Sequence, residues 1–358
     1  VKAIVLVGGE GTRLRPLTLA TPKQMLPIIE HTMLERVLSG LAAHGIDEAV
    51  LSLGYLPDAF RRAYPDGEAA GVRLFYAVEP EPLDTAGAIR FAADAARIDE
   101  TFLVVNGDVL TDLDFSTLVR FHRRTGAEGT LRLFPVQDPS AFGVVDTDAE
   151  GRVRAFIEKP PPGEAPTNLI NAGAYVFEPR VLQRIGLGER TSIERTTFPA
   201  MVADGVLFAM ADPAYWLDTG TPADFLQAHM DLLSGTRPGP PCEGAHRLAS
   251  GVWATGNPGV DGEAFAPSFL GAGARIAPGA RVEGSVIGRG SVVDAGAVVT
   301  GSVLMARTYV GVDAHVDGSV LGDDAMVGEG SQLRPISVIG PGVEIDRGSV
   351  VDGQRVPG

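Results

Sequence analysis

A single cysteine, Cys242, stands in 358 residues, so no intrachain disulfide can form and a reducing compartment is the setting it suits. Lysine is almost as scarce: of thirty basic side chains only Lys2, Lys23 and Lys159 carry an ammonium, and the other 27 are arginine. Where Lys is so seldom written, a retained one hints that a compact ammonium is wanted there. The six histidines (31, 44, 122, 229, 246 and 315) are scattered without metal-ligand spacing, which argues against a zinc-type centre. No apolar run approaches the roughly 18–20 residues of a membrane span. Residues 3–7 open the chain as an apolar stretch with neither the basic flank nor the cleavage site of a secretory leader, so a soluble cytoplasmic protein is expected. Positive charge is in deficit as well. A net charge of −15 excludes a general nucleic-acid or anionic-membrane binder, though not a small anion held in a locally basic pocket.

What is present fits a globular chain: 45% hydrophobic and 21% charged residues, long enough for two domains. The first 235 residues alternate strand and helix. Residues 3–7 form a continuous apolar run, as in a strand buried on both faces. A helix is expected from Thr32, where Thr32 and Glu35 make a capping box, to Gly45. Strands follow at 49–53, 72–78 and 102–105, with helices near 58–64, 85–97 and from Asp114. Further strands cluster at 130–136, 142–147, 152–157 and 173–178, and a last helix begins at Thr221-Pro222. The pattern predicts an α/β domain, Rossmann-like, with a mixed central sheet over residues 1–235. Residues 236–268, rich in Pro and Gly, read as a linker.

From residue 269 to 358 the pattern changes. Aliphatic residues recur in steps of six, six and five from Leu270 to Leu321, then every sixth residue to Val351. A Gly-Ser-Val triplet returns at 284–286, 301–303 and 318–320, a period of 17. Three short strands per turn, each pointing one aliphatic side chain inward, make about five coils of a parallel β-helix. The hexapeptide spacing resembles the left-handed form found in many sugar-processing enzymes.

The loop Gly8-Gly9-Glu10-Gly11-Thr12-Arg13-Leu14-Arg15-Pro16-Leu17-Thr18 follows the first strand. Its glycines let backbone N–H groups approach a phosphate or base, and its arginines bring charge. A dinucleotide fingerprint would want Gly where Leu14 stands, and a Walker loop would want Gly-Lys-Ser/Thr. Taken on through Pro22-Lys23-Gln24-Met25-Leu26-Pro27, the stretch resembles the signature of sugar-1-phosphate nucleotidyltransferases. Asn106-Gly107-Asp108, Phe142-Gly143-Val144-Val145, Glu158-Lys159-Pro160, Asn171-Ala172-Gly173 and Trp216-Leu217-Asp218-Thr219-Gly220-Thr221-Pro222 continue that resemblance in order.

The resemblance implies a GT-A type fold and transfer of a nucleotidyl group from a nucleoside triphosphate to a sugar 1-phosphate. Such a site must neutralise two polyanions and align an in-line attack on the α-phosphorus. It implies Arg13, Lys23, Asp108 and Asp218 as catalytic residues, with Asp108 and Asp218 holding Mg²⁺. Leu6, Gly8, Gly9, Gly11, Thr12, Arg13, Glu79, Asp84, Thr85 and Gly87 would bind the nucleotide. Gly143, Glu158, Lys159 and Asn171 would bind the sugar phosphate.

The base is read from Glu79-Pro80-Glu81-Pro82-Leu83-Asp84-Thr85-Ala86-Gly87, in which Thr85-Ala86-Gly87 looks like mannose-1-phosphate guanylyltransferases. A carboxylate at Glu79 suits guanine, whose N1–H and 2-amino group are donors on one edge. Asp84 departs from the family, which commonly has Gly there. GTP and mannose 1-phosphate are therefore favoured. The alternatives are a heptose or glucose 1-phosphate; dTTP, ATP or UTP; and a catalytically inactive regulatory paralogue. An acetyl-transferring β-helix would need more coils and a catalytic His, and the tail has the single His315. Closing the open ends of the coils leads one to expect a homo-oligomer.

Overall fold

The computed structural model describes residues 1–357. The chain gathers into two compact units, Val1–Gly9 with Leu34–Trp216, and Glu10–Met33 with everything from Leu217 onward. In this division the motif-bearing stretch 10–33 and the helix after Thr221 group with the repeat region.

In the first unit the strands are β1 (Ala3–Leu6), β2 (Glu48–Leu53), β3 (Glu68–Ala69), β4 (Val72–Val78), β5 (Phe102–Asn106), β6 (Val109–Thr111), β7 (Gly129–Pro135), β8 (Gly143–Thr147), β9 (Val153–Glu158), β10 (Leu169–Phe177) and β11 (Leu207–Ala211). The helices are α1 (Met33–Ala43), α2 (Pro57–Ala63), α3 (Asp84–Ala95), α4 (Phe115–Thr125) and α5 (Phe198–Ala203). The main sheet runs β9-β8-β10-β5-β1-β2-β4-β3, with β7 pairing β10 and β11. Strands β5, β1, β2 and β4 are parallel, while β10 is antiparallel to β5 and β7, so the sheet is mixed as expected. Ile4, Val50, Val104, Tyr175 and Phe177 lie in the core, with Ile89 of α3 and Phe198 of α5 packed among them. Helix α4 starts where Asp114 accepts a hydrogen bond from the Thr117 amide at 2.9 Å and ends at Gly126 in the left-handed conformation. The sequence pattern does not foresee β6, β11, α5 or the π-helical turn Ile193–Thr197.

In the second unit a hairpin pairs Pro27–Ile28 with His31–Thr32, directly before α1. Helix α6 (Pro222–Ser234) is capped by Thr221, whose hydroxyl accepts from the Asp224 amide at 3.2 Å. Short parallel strands then stack in three sheets, forming the β-helix that the repeat implies. Its parallel pairing begins at Trp253–Ala254 against Phe269–Leu270, inside the Pro/Gly-rich stretch that reads as a linker. Ile276, Val282, Ile287, Val293, Val299 and Leu304 fill the interior. A serine column runs alongside: the Ser285 amide donates to Ser268 Oγ, Ser302 to Ser285 and Ser319 to Ser302, each seventeen residues on. One outer face carries Phe269, Val286, Val303, Val320 and Val338, all buried although they alternate with the inward aliphatics.

Candidate active site

In the first unit the parallel register sets Leu6 beside Ser52 of β2 and Asn106 of β5. The loops that leave this carboxyl edge are tied to it: the Gly107 amide donates to Leu6 O, Val7 to Ser52 O and Glu79 to Leu53 O. Small residues are needed here because a Cβ on Gly54 would sit 3.1 Å from Gly8 O, and one on Gly107 would sit 2.5 Å from Val7 Cγ1. Gly9 faces open space. Asp108, half-buried, lies in the turn between β5 and β6. The result is a cluster of glycines at the carboxyl ends of the strands, where open α/β sheets hold their ligands.

Glu79 stands beside these glycines, its Oε1 3.5 Å from where a Cβ on Gly8 would lie. Its Oε1 accepts from Ser52 Oγ and its Oε2 from the Leu83 amide, both at 3.0 Å. The carboxylate therefore latches the loop 79–83, and each oxygen keeps lone-pair capacity for a further donor. Asp84 is exposed, with φ +61°, and its Oδ1 accepts from the Thr85 amide at 2.8 Å. Thr85 and Gly87 have packing reasons of their own. Thr85 Oγ1 donates to Glu194 Oε2 and accepts from the Ile193 amide, both at 2.8 Å. A side chain on Gly87 would run into the Glu189 carbonyl. The amides of Ala86 and Gly87 both donate to Thr191 O, so two of the first N–H groups of α3 are already used.

Further along the same unit, Gly143 pairs with Glu158, and a Cβ on it would come within 3.0 Å of Glu158 Oε2. Lys159 Nζ lies 3.6 Å from Glu158 Oε1. Between Asn171 and Tyr175 the register of β10 slips; Asn171 Nδ2 donates to the Tyr175 hydroxyl at 2.9 Å and its Oδ1 accepts from the Gly173 amide. Gly173 adopts a φ of +72°, and a side chain there would also press on Asn106, so both backbone and space call for glycine. Burial, reinforced by the charge of Glu194, pushes the Tyr175 phenol far above its ordinary range, so it stays a neutral hydroxyl. Trp216 closes this end: Nε1 donates to Ala172 O at 2.9 Å, its ring stacks on Phe134 at 5.3 Å, and Phe142 meets it edge-on.

The second unit gathers another set. Gly11, with φ +62°, turns the loop so tightly that a Cβ would be 3.0 Å from Lys23 Cβ and 3.1 Å from Thr18 Cγ2. Thr18 Oγ1 fastens the turn by donating to Gly11 O at 2.8 Å. Lys23 is 4% exposed, and its Nζ lies 3.6 Å from Asp218 Oδ1. Arg13 reaches the same place, since a side chain on Gly220 would strike its Nη2 and lie 3.0 Å from Asp218 Oδ1. Arg13, Lys23 and Asp218 thus converge, although Asp218 follows Lys23 by nearly two hundred residues. Arg15 instead pairs with Glu10 at 2.8 Å, and Thr12 is exposed.

Residues 2–235 match the family model described as Nucleotidyl transferase, and residues 265–357 match the GMPPB C-terminal domain. The chain belongs to the nucleotidyl transferase family. It is similar to a mannose-1-phosphate guanylyltransferase of Mycobacterium tuberculosis, 45% identical over 80% of this chain and 79% of that one. It is also similar to mannose-1-phosphate guanyltransferase beta-B of Xenopus laevis, at 40% identity over 73% and 71% of the two chains. Among solved structures it resembles HddC from Yersinia pseudotuberculosis, with a TM-score of 0.55 and 27% identity over 64% of this chain and 97% of that one. HddC has also been solved complexed with GMP-PN.

In this nucleotidyl transferase, several residues in contact with the motif residues escape sequence reasoning. Tyr175 sits within an apolar strand pattern that gives no sign of a polar contact. Glu194 lies in a π-helical turn, and its contacts with Thr85 and Ser192 mark it. Trp216 belongs to a quoted motif, but its stacking partners are apart in sequence. Among the described residues no three His, Cys, Asp or Glu side chains come together as a metal-binding group, and no helix is long and apolar enough to cross a membrane.

Proposed function

We propose that this chain is a mannose-1-phosphate guanylyltransferase, which joins GTP and mannose 1-phosphate into GDP-mannose and pyrophosphate with Mg²⁺ as its metal. The observation that carries the chemistry is the buried Lys23 ammonium beside Asp218 with the Arg13 guanidinium next to it. The names of the relatives, 39–45% identical over about two thirds or more of the chain, support the choice of base and sugar.

A phosphate oxygen of the sugar 1-phosphate attacks the α-phosphorus of GTP. The new P–O bond forms as the bond to the β-phosphate breaks, and pyrophosphate leaves with the electron pair. The nucleophile is already an anion, so no general base is required. Lys23 and Arg13 hold the triphosphate and stabilise the charge that builds on the leaving oxygens. Lys23 is fixed by burial and Arg13 by the space at Gly220, so neither must be ordered at the moment of reaction. Glu79, clamped by Ser52 and Leu83, accepts from the guanine edge. Lys159 binds the sugar phosphate, and Glu158 and Asn171 accept or donate to sugar hydroxyls.

The donor set fits Mg²⁺, a hard cation that takes one or two carboxylates and completes its shell with substrate phosphates and water. Asp108 and Asp218 would hold the ion, which supplies charge neutralisation and alignment of the phosphates when bound. The test is pyrophosphate release with Mg²⁺ for GTP, ATP, dTTP and UTP against mannose 1-phosphate and glucose 1-phosphate. Turnover confined to GTP with mannose 1-phosphate is the expected result. Preference for another nucleotide would overturn the role of Glu79, and preference for glucose 1-phosphate would overturn the sugar.

A further inference from the structure

Arg132 is the largest side chain of the chain that is fully buried, and the catalytic scheme above does not use it. It lies in β7, between Leu131 and Leu133, which face the core. Alternation turns Arg132 to the opposite face, where an aliphatic residue would be cheaper to bury than a guanidinium. Burial pushes its pKa down to about 10, with Asp212 and Asp112 opposing the shift, so the group remains a cation at neutral pH.

Its donors join two chain segments. Nη1 donates to Thr111 Oγ1 at 2.9 Å, and Nη2 donates to Ala214 O at 2.6 Å and to Asp212 O at 3.4 Å. Thr111 ends β6, three residues after Asp108. Ala214 stands four residues before Asp218, in a turn that Asp212 Oδ1 closes by accepting from the Ala214 amide at 2.7 Å. The two segments meet once more where the Asp112 amide donates to Tyr215 O at 3.1 Å. The guanidinium also lies over the Phe134 ring, which in turn stacks on Trp216. A buried fork thus ties the Thr111 side chain, just after one proposed metal carboxylate, to the 212–214 backbone, just before the other.

We propose that Arg132 is a positioning residue for the metal-nucleotide centre, holding the segments that bear Asp108 and Asp218 in the register that metal binding needs. The proposal rests on the reading of those two carboxylates as the Mg²⁺ ligands. A guanidinium bound to a hydroxyl on one segment and to carbonyls on the other ties the two together, which an apolar residue of the same size does not do. Its loss acts on the coupling between metal and nucleotide, and leaves the contacts that GTP makes without metal.

The experiment is calorimetric titration of GTP in the absence of sugar phosphate, with EDTA and again with saturating Mg²⁺. The ratio of the two Kd values measures the coupling. In R132M the ratio falls roughly tenfold while the Kd in EDTA stays within twofold of wild type. The half-saturating Mg²⁺ concentration for turnover rises to match, and R132K restores part of the loss. T111V removes one acceptor and leaves Arg132 in place; it lowers the ratio about threefold, the weight of one hydrogen bond. It also keeps the test alive should R132M fail to fold. An unchanged coupling ratio in folded R132M, or in T111V, overturns the proposal. D108N and D218N run alongside: if neither alters the ratio, the metal reading itself fails, whereas a change in these with none in R132M and T111V sinks the role of Arg132 alone.

Discussion

At the scale of single residues, Lys23 shows how scarcity and burial reinforce each other. It is one of three lysines, and it is held inside the protein 3.6 Å from Asp218. A buried ammonium is favourable only with partners that compensate its lost hydration. Substrate phosphates would complete that compensation and are themselves neutralised by it. Exchange for an apolar side chain of similar length therefore spares the fold and removes the charge. Lys23→Met should lower kcat/KM by about 10³-fold and shift the melting temperature by only a few degrees. Parallel kinetics and thermal melts check this, and a variant with near-normal kcat/KM would remove Lys23 from the chemistry. Arg132 is the opposite case, hidden from sequence reasoning because Leu131-Arg132-Leu133 reads as a strand with its polar face toward water. That face is covered instead by Thr111 and the 212–214 segment, which Arg132 bonds, and by Phe134 beneath the guanidinium.

At the scale of elements, strands β1, β4 and β5 were legible because their apolar runs are long and bounded by Gly, Asn or Asp. The β-helix was legible because its period repeats. Three kinds of feature were not. Helix α5 and the π-turn before it are too short to show periodicity. The bulge at Asn171–Tyr175 is set by the approach of Asn106 to Gly173, which no local pattern records. The resemblance implies nucleotide contacts for Thr85 and Gly87, and their packing against 189–194 becomes visible only once that segment is placed.

The end of α4 shows a further non-local link. His122 is buried, with Nδ1 2.8 Å from Thr130 Oγ1 on β7 and Nε2 3.1 Å from Glu178 just beyond β10. Burial lowers its pKa more than Glu178 and the hydrogen bond raise it. The folded protein thus keeps His122 neutral where the unfolded chain already binds a proton. Stability is retained above the ordinary histidine value of about 6.5 and declines as pH falls below it. Melting curves at pH 7.5 and 5.5 should show this decline in the wild type and a flatter dependence in His122→Gln. An equal pH slope in the two proteins would assign the decline to other groups.

At the scale of the whole molecule, the signature segment and the repeat region fold as one unit, which a division at residue 235 would cut. The connection has a physical anchor. Glu30, at the tip of the hairpin after Lys23, accepts from Thr255 Oγ1 at 2.9 Å, and Cys242 Sγ approaches its other oxygen at 4.0 Å. Ile29 beside it is buried with a φ of +62°, a conformation that a β-branched residue adopts only when its surroundings impose it. Without residues 236–358 the Glu30 carboxylate loses these partners and the hairpin loses what holds Ile29. Lys23 lies four residues before that hairpin, so its placement relaxes too. A chain ending at residue 235, although it spans the whole nucleotidyl transferase match, should therefore be aggregation-prone or lose most of its activity. In the full-length chain, Thr255→Val should lower stability by about 1–3 kcal/mol, because it leaves a half-buried carboxylate short of a donor. Size-exclusion chromatography and pyrophosphate release on the truncated chain, with denaturant melts on the variant, check both. A monodisperse 1–235 fragment with full kcat would show that the repeat region is dispensable for the geometry around Lys23.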